Sequence, residues 1–414
     1  MKTLKGFFKI LGPGMVTGAS DDDPSGIATY SQAGAQFGLS TLWLALVTFP
    51  LMAAVQEMCA RIGAVTGTGL AGTLKKHYPP WVWWLALGFS LPATILNIGA
   101  DIAGMGAVAH MVFSPIPSFV YCIVFTGAIL GAIVVCRYRQ FANILKWFCL
   151  VLLVYLVVPL YVHTDWGQVL RATFLPSFTM NKAYLGIVVA VLGTTISPYL
   201  FFWQATMEAE DVTRPGGKRI FVGKRFLADM RLDVNMGMLF SNIVMFFIIL
   251  TCGTVLFAGG IHQIDTVDQA AAALKPVAGH AAYLLFALGV IGTGFLAIPV
   301  LAGSVSYMAA EIFGWSKGID KRFYQARPFY IVIFVALVIG LLINYIGISP
   351  IQSLIYTAIL YGLIAPVIIA IILHVTNNRK IMGGKVNSLR RNILGVLALL
   401  LMTAAAFLMI YLNF

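Results

Sequence analysis

Charge is the scarcest thing in this sequence. Of 414 residues, 27 are Lys or Arg and 15 are Asp or Glu, together 10%, where an ordinary soluble domain carries roughly 25%. So few charges do not cover the surface of a soluble chain of this length. A composition that is 60% hydrophobic also excludes a disordered chain. Cysteine is sparse too. Cys59, Cys122, Cys136, Cys149 and Cys252 are dispersed through apolar runs, which excludes a disulfide scaffold and shows no metal-ligand spacing. No ten-residue blocks alternate in polarity, so an outer-membrane barrel is excluded. His-Glu-x-x-His, Walker and nucleophile-elbow patterns are missing, and nothing points to an enzyme or a resident cofactor. What remains is an all-α integral membrane protein.

A spanning helix needs about 20 mostly apolar residues. Eleven such stretches are present, near 10–36, 39–62, 82–113, 117–136, 144–163, 183–205, 235–260, 281–309, 329–347, 351–374 and 392–412. The apolar run after Lys2, Lys5 and Lys9 reads as a lead into the first span rather than a signal peptide, because Asp21-Asp22-Asp23 follows it without a small-x-small cleavage site. With the N-terminus cytoplasmic and each stretch crossing once, only Arg171, Lys182 and Lys275 of the 27 basic residues fall on the outer side. Basic residues concentrate on cytoplasmic loops, so this split orients the chain, with its C-terminus extracytoplasmic, in a plasma or inner membrane. The net charge of +12 is then topology, and no nucleic-acid partner is implied. No obligatory protein partner is evident beyond the bilayer itself.

The few acids at depth are Asp21, Asp22, Asp23 and Asp101, with Glu57 and Glu311 nearer inner helix ends. Intramembrane carboxylates are expensive and mark ion or substrate paths. The stretch before Asp21 is too short to span alone, so Asp23-Pro24-Ser25-Gly26 sits near mid-membrane. Pro24 removes a backbone donor, and the predicted broken helix is tolerated only around a water- or ion-filled cavity. The sixth span repeats the pattern at Gly193-Thr194-Thr195-Ile196-Ser197-Pro198-Tyr199. Interrupted helices at matching positions of two halves point to a transporter site between inverted repeats. The repeats would be about 10–163 and 183–374 of a single transmembrane domain, with 392–412 added. Gln204 and Asn242 are polar positions on the sixth and seventh spans, either pathway residues or interhelical hydrogen bonds. Asp101 is a lone mid-span acid without a basic partner. Carboxylates, free carbonyls and hydroxyls without a buried Lys or Arg select a cation, and an oxygen-only shell suits Mg²⁺, Ca²⁺ or Mn²⁺.

Five stretches together carry a family resemblance: Gly12-Pro13-Gly14, Asp23-Pro24, Gln32-Ala33-Gly34-Ala35, Ala60-Arg61-Ile62-Gly63-Ala64-Val65-Thr66-Gly67 and Gly193-Thr194-Thr195-Ile196-Ser197-Pro198. In this order the chain resembles the Nramp divalent-metal transporters. The resemblance implies the 5+5 inverted-repeat, amino-acid-transporter-type (LeuT) fold with helices 1 and 6 broken, and a transported divalent metal, typically with protons. It puts the metal-binding aspartate on Asp23 and the two backbone carbonyls on Ser20 and Thr194. The family's metal-binding asparagine is replaced by Gly26, its methionine by Ser197 and its helix-6 histidine by Tyr199. A second histidine falls on Gln204 and the helix-3 acid on Asp101.

These departures resemble the Nramp-related magnesium transporters. Without the thioether the preference for soft metals falls. Gly26 and Ser197 are expected to widen the cavity, which suits an ion that keeps several waters, as Mg²⁺ does. Asp21 and Asp22 add negative charge along the path. Without the histidines, groups that titrate near neutral pH are gone, so weak or absent proton coupling is expected. The expectation is therefore an alternating-access transporter of Mg²⁺ and Mn²⁺. Proton-coupled Mn²⁺/Fe²⁺ transport, a sodium-coupled organic-solute carrier and a non-transporting membrane sensor stay open as alternatives.

Overall fold

The computed structural model describes residues 12–135, 148–179, 181–213 and 220–413. Lys2, Lys5, Lys9, Arg137, Arg139, Lys146, Arg214, Lys218, Arg219, Cys136 and the Cys149 side chain lie outside the described residues, as do the starts of the first and fifth expected spans.

The chain is a bundle of helices. A short α1 (Pro13–Asp21) is followed by α2 (Pro24–Phe37), α3 (Trp43–Thr66), the short α4 (Leu70–His77), α5 (Pro80–Val112) and α6 (Ser118–Val135). Then come α7 (Val154–Tyr161), α8 (Trp166–Phe174), α9 (Lys182–Thr195), α10 (Pro198–Val212) and α11 (Lys224–Cys252). The last part holds α12 (Ala282–Phe313), α13 (Arg327–Ile343), α14 (Pro350–Asn377) and α15 (Leu389–Asn413). Among the described residues eight segments are long and apolar enough to cross a membrane, one of them α9 with α10, and two shorter apolar helices, 151–161 and 327–343, join them. Adding α1 with α2, whose acids disqualify it on composition alone, gives the eleven crossings that the sequence predicts.

Boundaries differ most at the end of the sixth crossing, where α10 runs to Val212 rather than stopping near 205, and at the start of the seventh. The seventh crossing begins at Lys224 rather than near 235, because a helix extends into water beyond the bilayer and polarity does not end it. The fifth is a 3₁₀ segment, Phe148–Leu153, leading into the short α7.

Glycine lets the crossings touch where the site needs them. A Cβ on Gly18 would stand 2.2 Å from the Gly237 carbonyl oxygen, and one on Gly193 would stand 2.3 Å from the Gly362 nitrogen. Small residues allow such backbone approach between membrane helices. They fix α1 against α11 and α9 against α14. The two inner-end acids are paired as their depth suggests. Glu57 on α3 accepts from Arg231 at 3.0 Å and from Arg391 at 2.7 Å. Glu311 on α12 accepts from the amides of Gly69 (2.8 Å) and Gly72 (2.7 Å) at the start of α4 and pairs with Lys317.

Candidate metal site at the two helix breaks

Both predicted interruptions are present and both are buried. The first falls at Asp22-Asp23. Asp22 leaves the helix at φ −84°, ψ 51°, and Asp23 is extended and opens α2 with Pro24 at its first turn. Proline suits that position because the missing N–H would have no intrahelical partner. The Asp23 side chain caps the new helix, accepting from the Gly26 amide at 2.7 Å. The second interruption falls at Ile196-Ser197, with Pro198 opening α10. Ser197 turns back and donates to the carbonyls of Gly193 (3.1 Å) and Thr194 (2.5 Å), which the end of α9 leaves without helical partners.

One side chain ties the breaks together. The Tyr199 hydroxyl donates to the Ser20 carbonyl at 3.0 Å, so the two helix-1 and helix-6 positions expected to face a metal are in contact. Tyr199 is itself held by Ser304, which donates to its carbonyl at 3.1 Å, and its ring lies 5.7 Å from that of Tyr361. A carbonyl has two lone pairs, so Ser20 and Thr194 each keep acceptor capacity beyond these bonds.

Asp23 and Asp101 meet through α5. Asn97 donates from Nδ2 to Asp23 Oδ2 at 2.9 Å and lies 3.5 Å from Asp101 Oδ2. The Ser25 amide donates to Asp101 Oδ1 at 3.2 Å. Thr357 of α14 donates to Asn97 Oδ1 at 2.9 Å, and the Ser25 hydroxyl donates to the Leu354 carbonyl at 2.8 Å. Two carboxylates, an amide and two hydroxyls thus form one buried network joining α2, α5 and α14.

Asp21 and Asp22 face elsewhere. The Ser241 hydroxyl of α11 lies 2.6 Å from Asp21 Oδ2 and 3.2 Å from Asp22 Oδ1. Gln204 is away from the break, accepting from Thr17 at 2.6 Å and donating to Glu208 at 3.0 Å. Asn242 makes the interhelical hydrogen bonds that were one of its two readings: its amide donates to the Ala45 carbonyl at 2.8 Å and its oxygen accepts from Thr48 at 3.0 Å, so it fastens α11 to α3. One expectation needs correction, the widening at Gly26: a Cβ there would lie 3.2 Å from the Asp21 carbonyl oxygen, with the Tyr30 ring in contact at 3.4 Å, so the position is tight at its root.

Sequence reasoning missed Asn97, Ser241, Asp233 and Met245. Asp233 of α11 caps α1, accepting from the amides of Gly12 (2.7 Å), Gly14 (2.7 Å) and Met15 (3.2 Å). Met245 is a thioether beside the second break, where its sulfur accepts from Thr195 at 3.4 Å. Asn97 had a signal, since it lies four residues before Asp101 and so shares its helix face. Among the described residues no three His, Cys, Asp or Glu side chains converge as a preassembled metal cage. Any ion held here would use backbone oxygens, hydroxyls and water beside Asp23.

Residues 14–412 match the family described as Natural resistance-associated macrophage protein-like, Nramp. The chain belongs to the Nramp family. Curated relatives of this Nramp protein include the divalent metal cation transporter MntH of Caldanaerobacter subterraneus, 25% identical over 95% of this chain and 90% of that one. The MntH of Mycobacterium leprae is 26% identical over 99% and 93%. Among solved structures, the Eremococcus coleocola manganese transporter superposes with a TM-score of 0.77 at 16% identity, covering 97% of this chain and 86% of that one. MhsT, solved with L-phenylalanine, gives 0.66 at 12% identity over 96% and 98%. This Nramp protein therefore has the inverted-repeat, amino-acid-transporter-type fold, is a multi-pass membrane protein, and groups with transporters rather than enzymes.

Proposed function

We propose that this Nramp protein moves divalent metal ions across the membrane by alternating access, preferring partly hydrated Mg²⁺, accepting Mn²⁺, and coupling weakly or not at all to protons. Asp23 is the principal ligand, the Ser20 and Thr194 carbonyls and the Ser197 hydroxyl are further contacts, and Gly26 and Tyr199 border the site. Asp101 and Gln204 belong to the path on either side. The repeats are about 10–163 and 183–374, and the N-terminus is cytoplasmic, as the distribution of basic residues supports.

The observation that carries this reading is the donor set at the second break. Where a soft ligand would stand, Ser197 holds a hydroxyl against the Thr194 carbonyl, and the neighbouring phenol of Tyr199 bonds to Ser20. Hard oxygen donors suit Mg²⁺ and Mn²⁺, and Mg²⁺ retains water where the protein offers few ligands. A second reading, proton-coupled transition-metal transport, draws on Met245, whose sulfur stands next to Thr195, and on the manganese and MntH relatives. Proteoliposome uptake separates them. Excess Mg²⁺ is expected to suppress Mn²⁺ uptake, the vesicle lumen is expected to keep its pH during uptake, and Ser197→Met is expected to shift selectivity toward Cd²⁺. Mn²⁺ uptake indifferent to Mg²⁺ and accompanied by acidification would establish the second reading instead.

A further inference from the structure

Asp21 and Asp22 raise a question that Asp23 does not. Asp23 is satisfied by an amide and a carboxamide on the α2 and α5 side. Asp21 and Asp22 point to α11, are fully buried, and share one hydroxyl, that of Ser241. A hydroxyl carries one proton to donate. Asp21 Oδ1 and Asp22 Oδ2 are buried without any hydrogen-bond partner. Among the described residues no Lys, Arg or His forms an ion pair with either acid. Two carboxylates at depth with unmatched oxygens and no cationic partner among the described residues are too costly to stay ionised unless a bound cation or a proton compensates them.

The surroundings are arranged for positive charge. Both acids lie at the C-terminal end of α1, where carbonyls lack helical partners and the helix dipole is negative. The register is set by packing: Gly14 meets Val234, Gly18 meets Gly237, and one turn further Asp21 and Asp22 meet Ser241. The close glycine contacts thus hold Ser241 and both acids in place.

We propose that Asp21, Asp22 and Ser241 form a second divalent-cation station, on the α11 side of the first break and separate from the Asp23 site. The two carboxylates match the charge of one Mg²⁺ or Mn²⁺, the free oxygens Asp21 Oδ1 and Asp22 Oδ2 are its protein ligands, and water completes the shell. This rests on the reading of the chain as a divalent-metal transporter. It gives the ion two stations on different faces of helix 1.

The test is Mn²⁺ binding to the purified full-length chain in detergent, with free Mn²⁺ counted by its electron paramagnetic resonance signal. Two Mn²⁺ per chain are expected. The isosteric pair Asp21→Asn with Asp22→Asn is expected to leave one, and Asp23→Asn, made separately, is also expected to leave one. Ser241→Ala keeps the carboxylates and is expected to weaken the second site about tenfold while leaving the first unchanged. It is read alongside the double variant because it perturbs the fold least. One Mn²⁺ in the wild type, lost in Asp23→Asn and retained in the double variant, would overturn the second station while leaving the transporter reading intact. No Mn²⁺ in the wild type would remove both.

Discussion

Replacing Asn97 by Ala tests whether the Asp23 carboxylate depends on α5 for its position. The substitution removes the 2.9 Å bond to Asp23 Oδ2, the 3.5 Å approach to Asp101 and the acceptor of Thr357. A hydrogen bond to a charged group is worth about 1.5–3 kcal/mol. Removing a side chain that orients a metal ligand commonly weakens metal binding about 10- to 100-fold, which is about 1.4–2.8 kcal/mol, so the two arguments agree in size. In proteoliposomes, the KM for Mn²⁺ is expected to rise by that factor, with the maximal rate changing less. Thr357→Ala leaves Asn97 in place but removes its anchor, together with a 3.4 Å contact to the Ser25 hydroxyl, and is expected to raise KM a few-fold. An Asn97→Ala protein that is monodisperse and thermally stable, yet shows a KM within about twofold of the wild type, would refute the positioning argument.

Two further outcomes follow from the way α1 is held. Asp233→Ala leaves three amides at the start of α1 without their acceptor and is expected to destabilise the protein by about 2 kcal/mol, seen as a lowered thermal midpoint in detergent. Asp233→Asn should recover part of the loss. Gly18→Val puts a side chain into the Gly237 carbonyl, and the expected result is little or no monodisperse protein on size exclusion, whereas Gly88→Val, where a Cβ meets nothing within 4 Å, should behave as wild type.

Both breaks were legible because proline and a scarcity of apolar length mark them locally. Pro24 and Pro198 each open the second half of a crossing, as expected, and Asp23 is drawn to Asp101 through a residue in the same stretch of α5. The partners from the seventh crossing were not legible. Asn242 stands out in its apolar run, but it fastens helices together, while its neighbour Ser241 faces the acids. Successive residues on a helix point about 100° apart, so choosing between them needs the rotation of α11 against α1. That rotation is set by Gly14, Gly18 and Gly237, a contact between distant parts of the chain that no local pattern encodes. The same holds for Asp233 and Met245. The tightness at Gly26 was not legible either, because it depends on how the break turns the Asp21 carbonyl toward position 26.

The bond from Tyr199 to Ser20 has a mechanical meaning. It makes the two interruptions one coupled joint, so a rearrangement that preserves it carries both half-helix pairs together, and one that parts them must first release it. The bond is buried, and parting it without a replacement partner costs about 1–3 kcal/mol per group left unsatisfied, several times the thermal energy. The joint therefore acts as a latch whose release goes with water or an ion arriving to take up the freed groups.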